Sequence, residues 1–367
     1  MSKKIFACVA FVLFVAIGAG ILFGSNGLLK GIFSRKYGEI LDDKAKEAFP
    51  YVTGIKRIRF DILSGLGVKE YDGFFFSNGK IVENYTPPKK SYIESNCEIV
   101  NAFVANNKPE MYFTLIPTQC AIEQENLPQY AALYNQKNAI LQAYKMLSLS
   151  VEKVDSYGVL FNNREKRLYY NTHPELTNVG GYYIYSAICR SMNKTPRALE
   201  EFDIKYAGYG FYGDSYSKAP YEEAESDTIS IYAYKSFVRN YTVTHITPTE
   251  SYSYDRLYIP EKESGEDKTD IILGGISPVM HLEADGPYTE KLLVFGDSSV
   301  KAYLPFMINH YEKITFVDIR QYEPRLLSEI RVSDYDQTVF AMSIDSYMRY
   351  DLTKILYQVK NEWPLDK

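Results

Sequence analysis

The sequence predicts an α/β sandwich with a mostly parallel sheet, carrying a β-rich insertion over about 196–288 and following an apolar N-terminal segment. Three observations support this. Short apolar runs alternate with longer amphipathic stretches in both halves of the chain, as parallel strand–helix units require. The stretch Pro196–Tyr288 abandons that alternation for short β-like runs, many tyrosines and charged turns. Residues Ile5–Phe23 are uninterruptedly apolar or small, close to the ~20 residues that cross a bilayer.

Lys3 and Lys4 precede the apolar segment, which runs on through Gly18-Ala19-Gly20. A cleaved signal peptide has a shorter apolar region, about 7–15 residues, before its small-residue site. The expectation is therefore a signal-anchor transmembrane helix over 1–24, single-pass in the cell membrane, with the body extracellular. Lys30, Arg35 and Lys36 on the far side weaken the charge asymmetry that sets this orientation. Residues 25–50 read as a juxtamembrane linker ending in a short charged helix, Glu39–Phe49, stopped by Pro50. The remainder, 51–367, reads as one domain.

Within it, Tyr71–Tyr85 alternates aromatics with turn residues at Gly73 and Asn78-Gly79 and predicts a hairpin. Tyr92–Ala105 predicts a helix, Met111–Pro117 a buried strand, Leu127–Met146 a long amphipathic helix and Val151–Asp155 a short strand. Gly180–Met192 is a helix rich in Tyr and Ala. The C-terminal part repeats the alternation: strand Leu292–Phe295, helix Val300–Asn309, strand Ile314–Asp318, helix Pro324–Ile330 and strand Thr338–Met342. In the insertion, Asp227–Tyr234 and Tyr241–His245 read as strands at the edge of a surface groove.

A net charge of −5, or −7 once Lys3 and Lys4 are set aside, and the lack of a dense basic patch argue against nucleic acid as partner. Cys97, Cys120 and Cys189 are irregularly spaced and read as buried small apolar residues, with at most one disulfide among them. The four histidines lack metal-ligand spacing, and Lys262, Gly265 and Lys268 spoil Glu261–Asp270 as a calcium loop, so no metal or other cofactor is expected. That run reads as a solvated loop.

The chemistry-bearing feature is the run Leu292–Ser299, where an apolar strand ends at Gly296-Asp297-Ser298 and a helix follows. A serine on such a turn exposes its hydroxyl beside the free N–H groups of the helix, a suitable place for a nucleophile and its oxyanion. Asp297 is a candidate for positioning the turn. His310 reads as a helix cap, His245 as a strand residue, and His281 as a core residue that could alternatively reach the cleft. Lys301 and Tyr303 read as ordinary helix positions, and Tyr182, Tyr183 and Tyr185 as packing rather than sugar platforms.

Several stretches, in order, resemble one family. Tyr169–Tyr183, with Thr172-His173-Pro174-Glu175-Leu176-Thr177 inside it, is similar to the signature segment of the DHHW-motif proteins of Gram-positive bacteria. Phe211–Lys218 followed by Asp227-Thr228-Ile229 resembles their middle segment. Leu292–Ser298, Pro305-Phe306, His310–Ile314 and Val317–Arg320 resemble their serine block. The resemblance implies a three-layer fold of the SGNH-hydrolase type, similar to alginate O-acetyltransferase domains. It implies a serine working with an Asp-x-His pair on acetyl groups of a cell-surface polysaccharide, commonly beside a membrane-bound O-acyltransferase.

The chain departs from that pattern where it matters. His173 stands at the aspartate position, Glu175 at the catalytic-histidine position and Leu176 at the tryptophan position. Gly274-Gly275-Ile276 replaces Gly-Gly-Asn, which removes a polar side chain from the oxyanion site. A serine needs a base, normally an imidazole held by a carboxylate. His173-x-Glu175 keeps both chemical types in reversed order, but the swap moves the imidazole by ~6–7 Å in an extended chain. Glutamate, with a reference pKa of about 4.3, is a poor base for a serine hydroxyl.

Two readings follow. In the first, the domain is catalytically degenerate and serves binding or assembly in polysaccharide O-acetylation. In the second, it is an active acetyl-esterase or O-acetyltransferase using Ser298, His173 and Glu175. The coincident departures favour the first.

Overall fold

The structure is a computed structural model that describes residues 69–235 and 240–360. The chain divides into two units, Met1–Arg59 and Phe60–Lys367, and every described residue belongs to the second. The expected anchor over Ile5–Phe23 and the helix Glu39–Phe49 lie outside the described residues. Among the described residues no helix is long and apolar enough to cross a membrane.

A small antiparallel ribbon opens the described chain: β1 (Glu70–Tyr71), β2 (Phe74–Ser77) and β3 (Lys80–Glu83). Then come α1 (Ile93–Ala105), β4 (Glu110–Ile116), α2 (Gln119–Ile122), α3 (Gln136–Met146), β5 (Val151–Lys153), α4 (Ser156–Asn162) and α5 (Asn178–Ser191). The middle of the chain forms β6 (Phe202–Phe211), α6 (Asp214–Lys218), β7 (Asp227–Tyr234), β8 (Tyr241–Ile246), β9 (Ser251–Tyr254) and β10 (Val279–Ala284). The last segment supplies β11 (Lys291–Gly296), α7 (Val300–Met307), β12 (Lys313–Asp318), α8 (Pro324–Leu327), β13 (Gln337–Ser343), α9 (Ile344–Arg349) and α10 (Thr353–Gln358).

Eight strands form the main sheet in the order β5-β4-β13-β11-β12-β10-β8-β9. The first five run parallel; β10, β8 and β9 are added antiparallel. The expected mostly parallel sheet is therefore mixed. Three strands of the segment read as an insertion extend the main sheet, and β10 covers the β12 edge with the register Val279↔Val317 to Glu283↔Lys313. An uncovered β12 would present unpaired backbone groups at the sheet edge. Of the described strands in that segment, β6 and β7 stand apart from the main sheet, as a two-stranded ribbon with a bulge between Ala207 and Phe211.

Crossover handedness builds the layers. The chain moves from β11 to β12 through α7, then back across β11 to β13 through α8. Right-handed crossovers in opposite directions place these two helices on opposite faces of the sheet. α5 packs on α7 and α4, whereas α1 packs on α3, α9 and α10, and α8 packs on α10. Under α1 lies an aromatic row from three neighbouring strands, Phe113, Phe340 and Phe295, with Phe103 edge-on against the last two. All four rings are fully buried, and truncating one would cost about 3–5 kcal/mol.

Some helices differ in extent from expectation. α3 starts at Gln136, where Asn135 accepts from the Asn138 N–H at 2.9 Å, rather than at Leu127. α8 ends at Leu327 rather than Ile330. Cys97, Cys120 and Cys189 are all buried free thiols.

Candidate active site

The order β13-β11-β12 makes β11 the point where the chain reverses its direction of travel across the sheet. Crevices at such switch points, beyond the carboxyl ends of the strands, are where α/β folds bind ligands. Ser298 sits two residues past the end of β11. The carboxyl ends of β4, β12 and β13 contribute Pro117, Arg320 and Ser343 to the same cleft, which encloses about 730 Å³.

Asp297 shapes the turn. Its Oδ1 accepts from the Ser299 N–H at 3.1 Å and the Ser299 hydroxyl at 2.6 Å. Its Oδ2 accepts from the Ser343 N–H at 2.9 Å and the Ser343 hydroxyl at 2.6 Å. The buried carboxylate thus ties the β11–α7 turn to the end of β13, and the Ser299 N–H is consumed in doing so.

The loop carrying His173 and Glu175 is closed by an antiparallel bridge between Tyr169 and Leu176. Asp227 at the start of β7, fully buried, anchors it: Oδ1 accepts from the Asn171 N–H at 2.8 Å, and Oδ2 from the Thr172 N–H at 2.8 Å and hydroxyl at 2.6 Å. Arg167 pairs with the same carboxylate. A Cβ on residue 213 would come within 2.5 Å of the His173 Cβ, so only glycine lets that backbone approach. The approach allows the Asp214 N–H to donate to His173 Nδ1 at 3.3 Å.

The loop brings the two side chains together, with His173 Nε2 lying 3.5 Å from Glu175 Oε2. Because Nδ1 accepts from Asp214, the proton of a neutral imidazole belongs on Nε2, facing Glu175. No hydrogen bond joins His173 to Ser298 among the described residues. Burial pulls the His173 pKa down, but Glu175 outweighs it and the result is above the ordinary value. Burial also pushes the Glu175 carboxyl up. Lys301, then His173, and last the Ser298 hydroxyl outweigh this and hold it well below the usual carboxylate range. Lys301 and His173 thus favour the charged form of Glu175.

Two residues that sequence reasoning passed over are central. Lys301 is not an ordinary helix position: it is buried, with Nζ 3.3 Å from Glu175, 3.3 Å from Asp267 and 3.5 Å from Asp270, and it donates to Thr269 Oγ1 at 2.6 Å. Asp267 and Asp270 accordingly face the cleft instead of forming a purely solvated loop. Arg320 grips both oxygens of the buried Asp318 at 2.9 and 2.8 Å and donates from Nη1 to Ser298 Oγ at 3.0 Å. The register had signalled this neighbour: Gly296 pairs with Asp318, so Ser298 and Arg320 each lie two residues beyond a paired position.

The remaining candidates are elsewhere. His281, on β10, bonds Thr315 at 2.9 Å, and burial lowers its pKa to about 4; it does not line the cleft. His245 bonds Ser277 and the Leu273 carbonyl. His310 contacts the Tyr185 hydroxyl at 2.7 Å. Tyr185 stacks on Phe306 in the core, and Tyr182 packs edge-on against the same ring. Ile276, at the expected oxyanion position, presents an apolar side chain to the cleft, and the Gly275 N–H is already bonded to Ile272. Among the described residues no group of His, Cys, Asp and Glu is arranged to hold a metal ion.

A family profile described as DHHW protein matches residues 63–317. Among solved structures, a DHHW family protein from Eubacterium siraeum is similar with a TM-score of 0.66 and 20% identity, over 79% of this chain and 97% of that one. PatB1 of Bacillus cereus, solved with a sulfonyl adduct, gives a TM-score of 0.61 and 16% identity, over 78% of this chain and 100% of that one. At such identities the likeness is one of fold. Among curated proteins none matches the chain.

Proposed function

The chain belongs to the DHHW protein family, and from that premise we propose that it is a catalytically degenerate SGNH-like protein that binds a cell-surface polysaccharide in an acetylation-related role. The observation that carries this reading is the partner of the nucleophile. Ser298 Oγ receives a hydrogen bond from the Arg320 guanidinium at 3.0 Å. Guanidinium remains protonated in proteins and abstracts no proton. The group standing where the family has its imidazole is Glu175, whose affinity for a proton is suppressed by Lys301.

Loss of the base leaves a cleft still lined with hydrogen-bonding side chains, suited to hydroxyl-rich ligands. The proposal includes an N-terminal anchor over 1–24 holding the body outside the cell membrane, next to a membrane-bound O-acyltransferase that supplies the acetyl chemistry. Fractionation tests the anchor: the full chain should stay with membranes after a high-salt wash, and a variant lacking 1–24 should not.

An aryl sulfonyl fluoride tests the degeneracy. Intact-mass analysis should show no adduct that depends on Ser298. An adduct formed by the wild type and absent from Ser298→Ala would favour the active-enzyme reading instead.

A further inference from the structure

We propose that the Ser298 cleft selects an amino-sugar chain and rejects one bearing uronate or phosphate groups; this rests on the glycan-binding reading above and specifies its ligand. The inference comes from charge within the cleft rather than from the nucleophile. Among the described residues lining it, eight carboxylates face four permanently cationic side chains, Lys218, Lys301, Arg320 and Arg349, and His173, which adds a fifth positive charge near pH 6.

Each of those positive groups has a carboxylate nearby, His173 and Glu175 lying 3.5 Å apart. Lys301 is enclosed by Glu175, Asp267 and Asp270. Arg320 is held by Asp318, which lies beneath the lining and adds a further negative charge. Arg349 pairs with Asp345 at 2.5 Å, and Lys218 lies 3.8 Å from Glu83. A ligand entering the cleft therefore meets an excess of negative charge, because the carboxylates outnumber the cations set beside them.

A concave site focuses such a field, concentrating ligands of opposite charge and repelling those of like charge. A volume of about 730 Å³ is ample for sugar residues in a polymer, within the about 300–1,000 Å³ typical of small-molecule sites. The carboxylates accept hydrogen bonds from both ammonium and hydroxyl groups, and those from ammonium are strengthened by charge. Arg320 keeps two of its five N–H groups beyond those given to Asp318 and Ser298, enough for a neutral carbonyl or hydroxyl oxygen. The chemistry thus matches a glucosamine-type chain, whose amines supply the positive charge.

The experiment is binding of three tetrasaccharides to the full chain, measured by calorimetry near pH 6: tetraglucosamine, tetra-N-acetylglucosamine and tetragalacturonate. Tetraglucosamine should bind roughly tenfold tighter than the N-acetylated form and lose that advantage in 0.5 M salt, while tetragalacturonate should show no binding. Asp72→Asn combined with Asp214→Asn removes two lining carboxylates without touching Ser298, Glu175 or Lys301. Asparagine also tolerates the left-handed backbone at position 72, where φ is 51°. That variant should weaken tetraglucosamine by about threefold or more and leave the N-acetylated tetramer unchanged. Equal affinity for all three ligands, or a preference for galacturonate, would overturn the charge selection while leaving a glycan cleft in place. Failure of all three to bind would overturn the glycan reading and the selection with it.

Discussion

Arg320 Nη1 lies 3.0 Å from Ser298 Oγ, and the same guanidinium clasps Asp318 with its other edge. The hydroxyl oxygen thereby accepts from a cation held just beyond the neighbouring strand, and that cation can take no proton from it.

Arg320→Ala should be destabilising through Asp318 rather than through Ser298. Asp318 is fully buried, and a buried carboxylate deprived of its partner costs about 3–5 kcal/mol. Denaturant unfolding should show a loss at the lower end of that range, because Arg320 is itself partly exposed. Arg320→Ala combined with Asp318→Asn should recover a large part of it.

Lys301→Met should destabilise by a similar ~3–5 kcal/mol at pH 7, since it leaves Glu175, Asp267 and Asp270 facing one another without the buried ammonium between them. In the variant the carboxyl pKa values rise above their unfolded values. Protonation then favours the folded state, so the stability gap to wild type should narrow as pH falls from 7 towards about 4. A gap that widens on acidification would refute this electrostatic account.

His173 should titrate above its ordinary value of about 6.5 in an NMR titration, because Glu175 outweighs the effect of burial. A raised histidine pKa stabilises the fold fully below the unfolded pKa, and that contribution fades as pH rises through the folded pKa. Glu175→Gln removes the main raising influence and leaves burial and Lys301, which lower it, against the smaller raising effect of Asp267. The His173 pKa should then fall below the ordinary value.

Asp297→Ala should cost about 3 kcal/mol, because four hydrogen bonds from Ser299 and Ser343 lose a buried charged acceptor. Asp297→Asn keeps one acceptor oxygen and should cost about half as much. Thermal unfolding of the two variants measures both.

The parts of this molecule that announce themselves in sequence depend on local pattern. The fully apolar Leu292–Phe295 ending at Gly296-Asp297-Ser298 forms β11 and its turn because every side chain of the run is buried. The Tyr/Ala face of α5 is local in the same sense, although the helix begins at Asn178 behind a Thr177 cap rather than at Gly180. The antiparallel pairing of β10 was not legible, since it finds its partners β12 and β8 only through tertiary contact. Lys301 was missed because its partners, Asp267 and Asp270, are brought back from a charged loop that resembles any solvated turn. Arg320 became visible only with the β11–β12 register. The reversed order of His173 and Glu175 was plain in the sequence, but whether they meet depended on the bridge between Tyr169 and Leu176.

Acetyl-ester turnover by the full chain, compared with Ser298→Ala under identical conditions, tests the central claim most directly. With Glu175 in place of the imidazole, and with the His173 lone pair taken by Asp214, the two proteins should hydrolyse an activated acetyl ester at the same background rate. A wild-type rate exceeding that of Ser298→Ala by about a hundredfold, the scale of a working general base, would contradict it.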